Sequence, residues 1–272
     1  MKRVAITVLL LLLAACAAPP PGPVPAFAAR HYEPFNRTDA VAIALGEWRL
    51  FGSRVDDAPP QNRPAPLPQD KAERQPGLWQ RVGEYWWEGL AVPPGEAPPR
   101  FEYWTGKHDA KGRVFPADED GHYAWSAAFI DYVMRIAGAG DRFPYAPNHA
   151  TYVNAAASGT APILRAEDPK LYPPRLGDLL CYGRHGARDL TFADLPTHYV
   201  WPGHCAIVVA TAPGMLSTIG GNVDDAVTMV HVPVTATGML ARPDGTLLDQ
   251  RYPWFVVVKV LYDANAEPAA DE

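Results

Sequence analysis

Three short segments carry residue types suited to covalent hydrolysis: Trp125-Ser126-Ala127-Ala128-Phe129, Gly203-His204-Cys205-Ala206-Ile207-Val208-Val209 and Gly220-Gly221-Asn222. A hydroxyl attacks a carbonyl carbon only when a neighbouring base takes its proton, and the base works best when a third polar group holds its ring. Ser126, His204 and Asn222 supply these three roles as nucleophile, base and orienter. Each also has a plainer role: Ser126 as a helix cap, His204 as a packed strand residue, and Gly220-Gly221-Asn222 as a turn that needs positive φ.

The elements that must position them follow from periodicity. Thr38-Asp39 reads as the start of a helix with Val41, Leu45, Trp48 and Phe51 on one face and Gly52 as terminator. Five prolines between Asp57 and Pro68 predict an exposed loop, and Leu78, Val82, Tyr85, Trp86 and Leu90 predict a second helix. Trp125, Phe129, Tyr132, Val133 and Ile136 form a third helical stripe closed by Gly138-Ala139-Gly140, which puts Ser126 in the first turn. There it gains the positive end of the helix dipole and backbone N–H groups outside the helix ladder, which suit an oxyanion. A fourth, shorter helix starts near Asn148.

After Pro173-Pro174 the texture becomes β: Leu179 to Tyr182, Cys205 to Ala210, Met215 to Ile219, Val227 to Val234 and Trp254 to Leu261. Helices first and strands second predict an α+β domain with an antiparallel sheet. If the strands from Cys205 and Met215 are hairpin neighbours, Asn222 approaches His204 and leaves its other nitrogen for Ser126.

Around this trio, Trp125, His122 and Trp201 are candidate substrate-binding residues, and His149 is a further cleft neighbour. Asp224 and Asp225 follow Asn222 in a turn expected to be solvated. Strand alternation turns Cys205 away from the His204 face, and Cys181 lies in a neighbouring strand, so the two form a disulfide or a pair of buried thiols. His185, His198, His204 and Asp189 lack a compact metal-binding spacing; no metal and no other cofactor is expected.

The segments above, with Gly177-Asp178-Leu179-Leu180, resemble the Trp-Cys-Ala-Ala-Phe, Gly-Asp, Gly-His-x-x-Ile-Val-Val and Gly-Gly-Asn pattern of papain-like amidases of the CHAP and NlpC type. More closely, the chain is identified from about Trp79 to Tyr262 as a member of the bacterial domain of unknown function 2272 family, through Ser-Ala-Ala-Phe-Ile, Ala-Gly-Ala-Gly, Gly-Asp-Leu and Gly-Gly-Asn-Val. The resemblance implies a papain-like α+β domain that hydrolyses peptidoglycan peptide or amide bonds, with Ser126, His204 and Asn222 in the triad positions. Ser126 stands where the superfamily has cysteine, and a hydroxyl is far less acidic than a thiol. A wall-binding or envelope-assembly protein without turnover is the rival reading.

Met1-Lys2-Arg3, the apolar run from Val4 to Leu13 and a small-residue cleavage site predict a secretory signal peptide. Leu13-Ala14-Ala15-Cys16 resembles the lipobox of bacterial lipoproteins, which implies a lipoprotein leader, 1–16, with Cys16 lipidated; an ordinary signal peptide with an incidental cysteine is the alternative. An Ala/Pro tether follows at 17–30, then one domain at 31–264 and a disordered tail at 265–272. Ala17 after the lipidated cysteine predicts an outer-membrane anchor facing the periplasm. The chain carries a formal charge of −6, about −8 without its leader, and no basic run interleaved with aromatics. Nucleic acid is therefore not an expected partner; peptidoglycan or its peptides, and a membrane reached through the lipid, are.

Overall fold

The computed structural model describes residues 35–64, 66–90 and 124–262, within a compact unit spanning Glu33–Glu272. The leader, Cys16, the tether, His122 and the tail lie outside the described residues.

Among the described residues four α-helices precede the sheet: α1 (Arg37–Leu50), α2 (Leu78–Gly89), α3 (Ser126–Ile136) and α4 (His149–Ser158). The side chain of Asn36, not Thr38, caps α1 by accepting from the Asp39 N–H at 2.8 Å. Either residue type can cap; Asn36 is the one at the position where the backbone turns extended, φ −130° and ψ 156°. Asn148 caps α4 in the same way, accepting from the Thr151 N–H at 3.0 Å.

The six strands are β1 (Leu164–Glu167), β2 (Leu179–Gly183), β3 (Gly203–Ala212), β4 (Met215–Val223), β5 (Ala226–Pro233) and β6 (Trp254–Val260). They form one sheet in the order β1-β6-β2-β3-β4-β5, with every pairing antiparallel. The fold is therefore α+β, as the segregation of helical and strand patterns predicts. β1 went unread in the sequence because its four residues, Leu-Arg-Ala-Glu, are too short and too polar to show period 2.

Period-2 alternation sends Cys205, Ile207 and Val209 of β3 into the main core with the helices, and Val208 into a second core with Leu180, Leu216, Val232 and Trp254. The main core is anchored by the fully buried rings of Tyr85, Trp125 and Phe129, so Trp125 and the α2 residues Tyr85 and Trp86 are packing residues. A buried polar group ties three helices together. Glu47 of α1 accepts from Arg81 and from the Tyr85 hydroxyl (2.7 Å) of α2, and Arg81 bonds the Tyr132 hydroxyl of α3. The three helices are thereby locked together, and α3 packs on β3 and β4.

Cys181 and Cys205 form a disulfide, which decides between the two readings left by the sequence. They are directly paired across β2 and β3, and the bond staples those strands two residues inside the Gly183–Gly203 pair at their end. Closing a loop of this length stabilises a fold by about 3 kcal/mol in the chain-entropy account.

Candidate active site

Ser126 is the first residue of α3 and is 5% exposed. The first main-chain bond of the helix runs from the Phe129 N–H to the Trp125 carbonyl, so the N–H groups of Ser126 and Ala127 lie ahead of the ladder. Ser126 and Ala127 line a cavity of about 710 Å³ together with His149, Arg184, Trp201, Asn222, Asp224, Asp225 and the proline-rich segment at Pro60, Arg63, Pro64 and Pro66. Its size is that of a small-molecule or peptide-end site.

The imidazole on Ser126 is that of His149, not that of His204. Ser126 Oγ lies 2.7 Å from His149 Nε2, and His149 Nδ1 is hydrogen-bonded to the Tyr152 hydroxyl. The local reason is helical: His149 and Tyr152 stand three residues apart in the first turn of α4, on one face. The segment before α4 is fixed by Asp131 of α3, whose carboxylate accepts from the Ala146 N–H at 3.2 Å. Burial pushes the Asp131 carboxyl well above the usual range. Burial first, and then the Arg184 charge, push the His149 imidazole down to about 3, so the ring is neutral near pH 7.

His204 lies nearby but is differently engaged. Its ring centroid is 5.7 Å from that of His149 and 5.5 Å from that of Tyr182, its cross-strand partner. It is 4% exposed, and among the described residues none hydrogen-bonds its ring. Burial, the neighbouring His149 and the Arg184 charge all hold it well below the ordinary histidine value.

Nor, among the described residues, does Asn222 make the expected hydrogen bond to His204. The β4–β5 register shifts between Gly220 and Val223, and Asn222 has a left-handed backbone, φ 56°. Together these break the alternation that would have paired Asn222 with His204. Asn222 lines the cavity instead.

The glycines before it serve close packing rather than a turn. A Cβ on Gly220 would stand 2.5 Å from His204 Nε2, and one on Gly221 would stand 2.4 Å from the Phe129 Cβ. Successive positions of β4 are thus closed from opposite faces, and only glycine fits either.

Asp224 and Asp225 are neither free nor simply solvated. Asp224 pairs with Arg63 at 2.9 Å and Asp225 with Lys71 at 3.2 Å, and both residues have positive φ. Burial and a hydrogen bond shared with Asp56 push the Asp224 carboxyl up to about 6. Arg63 also reaches Asp56 and the Tyr252 hydroxyl (2.7 Å), so it clamps the proline-rich segment to the β4–β5 turn as one wall of the cavity.

Of the other candidates, Trp201 lines the cavity at 2% exposure with its ring edge-on to Phe255, whereas Trp125 is turned into the core and donates to Glu73 at 2.6 Å. The sequence named His149 only as a cleft neighbour, and it missed Tyr152 and Arg184. The i, i+3 spacing of a histidine and a tyrosine behind an asparagine cap was the available signal.

No curated protein and no solved structure matches the chain. Residues 73–260 match the model of a family described as "Uncharacterized protein conserved in bacteria (DUF2272)", a stretch that includes α2, α3, α4, Ser126, His149, Arg184 and the whole sheet. That stretch is more than half of the 272 residues, and the chain belongs to the DUF2272 family.

Proposed function

We propose that the protein is a serine hydrolase of the bacterial cell envelope, with a papain-like domain that cleaves peptide or amide bonds of peptidoglycan. The observation that carries the reading is the 2.7 Å contact between Ser126 Oγ and His149 Nε2 at the head of a helix in an open cavity. For Ser126 to donate, Nε2 must be the unprotonated ring nitrogen, and Nδ1–H then donates to the Tyr152 hydroxyl. Ser126 Oγ attacks the scissile carbonyl carbon while its proton passes to His149 Nε2. The oxyanion faces the N–H groups of the first turn of α3, including that of Ala127. The imidazolium returns its proton to the departing amine. Water then hydrolyses the acyl-serine with His149 as base, and serine is regenerated.

His149 takes the role expected of His204, and Tyr152 that expected of Asn222. His204 serves as a packed second imidazole and Asn222 as a cavity wall. The lipoprotein leader ending at Cys16 supports placement on the outer membrane facing the periplasm, within reach of the wall.

A second reading is favoured by one observation. A base held at about 3 is poorly matched to proton transfer near neutrality, and no carboxylate among the described residues bonds the His149 ring. In that reading the cavity binds wall peptides without cutting them. Peptidoglycan digests analysed by mass spectrometry separate the two, using the parent protein, Ser126→Ala and Ser126→Cys. New products from the parent that vanish in Ser126→Ala support the hydrolase. Silence from the parent with cleavage by Ser126→Cys supports the binding protein.

A further inference from the structure

The charges lining the cavity do not balance. Three cations, Arg63, Lys71 and Arg184, and two acids, Asp224 and Asp225, face it. Both acids are already neutralised locally, Asp224 by Arg63 and Asp225 by Lys71. Arg184 remains: it is exposed, it follows directly on β2, and among the described residues it has no carboxylate partner. Its backbone is fixed, because its N–H donates to the Pro202 carbonyl at 2.8 Å beside the disulfide-stapled end of β2 and β3. Trp201 lines the same cavity at 2% exposure, and its buried indole Nε1–H has no acceptor among the described residues. In a chain of charge −6, a cavity whose uncompensated group is a guanidinium selects for an anion. The planar fork of arginine matches a carboxylate through two parallel N–H donors.

We propose that Arg184 is a specificity-determining residue, and that the substrate of this site is an acyl compound carrying a free carboxylate, which Arg184 grips while the reacting carbonyl lies at Ser126. This rests on the hydrolase reading above and adds the substrate class to it. Wall stem peptides carry such carboxylates, and so do small dicarboxylic half-amides and half-esters; the guanidinium recognises the group that they share. Arg184 also lies close enough to His149 and His204 for its charge to act on both rings. A bound carboxylate screens that charge and makes His149 a better proton acceptor, so binding and catalysis reinforce each other.

The test compares mono-p-nitrophenyl adipate with its neutral methyl ester, using the full protein and Arg184→Gln. The parent should prefer the anionic ester in kcat/KM. Arg184→Gln removes the charge near His149 for both substrates, so the readout is the ratio of the two esters: the preference for the anionic ester in kcat/KM should fall by about 10- to 100-fold, as expected for lost hydrogen bonds to a charged group. Arg184→Lys should restore part of the loss. Equal effects on both esters would overturn the proposal. If the parent cleaves neither ester, the hydrolase reading fails and calorimetric titration of adipate decides the rest. Millimolar or tighter binding of adipate, but not of its diamide, that is lost in Arg184→Gln sustains the carboxylate site. Absence of adipate binding, or binding unchanged by the substitution, overturns it. Since Arg184 is exposed, an unaltered melting temperature checks that the variant is folded.

Discussion

The two imidazoles near the head of α3 make an instructive pair. His149 on α4 and His204 on β3 are buried alike, at 3% and 4% exposure, and their rings lie 5.7 Å apart. His149 is hydrogen-bonded at both ring nitrogens, whereas His204 is bonded at neither among the described residues and is packed against Tyr182 and the Gly220 backbone. The difference is one of direction rather than place. A hydrogen bond weakens steeply with distance and angle, so a ring a few ångströms away can share a site without sharing its chemistry.

The largest expected effect separates the two rings outright. His149→Gln should lower the rate at which a fluorophosphonate labels Ser126 by about 10²–10⁴-fold, the range for loss of a general base. His204→Gln should change it by less than about tenfold. A deeper loss in His204→Gln than in His149→Gln, read by intact-protein mass spectrometry, would return the base to His204.

Gly221→Ala sharpens the contrast between packing and chemistry. The added methyl meets the Phe129 Cβ at 2.4 Å, and overpacking of this kind costs about 1–3 kcal/mol in denaturant unfolding. Gly220→Ala meets His204 Nε2 instead, so combining it with His204→Ala should recover much of its cost; strict additivity in that double-mutant cycle would mean that the ring does not press on β4.

pH supplies a third test. His149 has its pKa lowered from 6.5 to about 3, so between those values the unfolded chain binds more protons than the folded one. Stability from this group is complete above 6.5 and falls with falling pH at up to about 1.4 kcal/mol per unit. Asp131, raised by burial, acts in the opposite sense, so the measurement is the difference in urea stability between the parent and His149→Gln from pH 7 to 4. The parent should lose stability faster on acidification; parallel curves would place the His149 pKa near its ordinary value.

Tyr152→Phe is the mildest change. It removes one hydroxyl from His149 Nδ1 and should cost about 1 kcal/mol of stability together with about tenfold in labelling rate. No change in either would leave the ring oriented by packing alone.

Much of the framework was legible in the chain. The stripes of α2 and α3, the start of α4 at Asn148 and five of the six strands follow from periods of 3.6 and 2, because local side-chain geometry repeats at those intervals. The opposed facing of His204 and Cys205 and the place of Ser126 in the first turn of α3 follow from the same rule, whereas the pairing of β3 with β4 entered only as a condition that the structure meets. Ile136 departs from its stripe at 47% exposure, while Val133, Met134 and Ala137 around it stay in the core. The proline-rich loop was recognisable as irregular, but its role as a cavity wall depends on Arg63 reaching Asp224, 161 positions along the chain.

The sequence by itself therefore determined the element order, the α+β class, the family and the position of Ser126, since each depends on neighbours within a few residues or on a local motif. Only the tertiary structure decided which imidazole meets Ser126, that Cys181 and Cys205 are bonded, that Asn222 turns out of register and that Arg184 has no carboxylate partner among the described residues. Those outcomes depend on how separate elements meet to within an ångström, and a register shift between Gly220 and Val223 is enough to redirect a side chain that no local pattern can place.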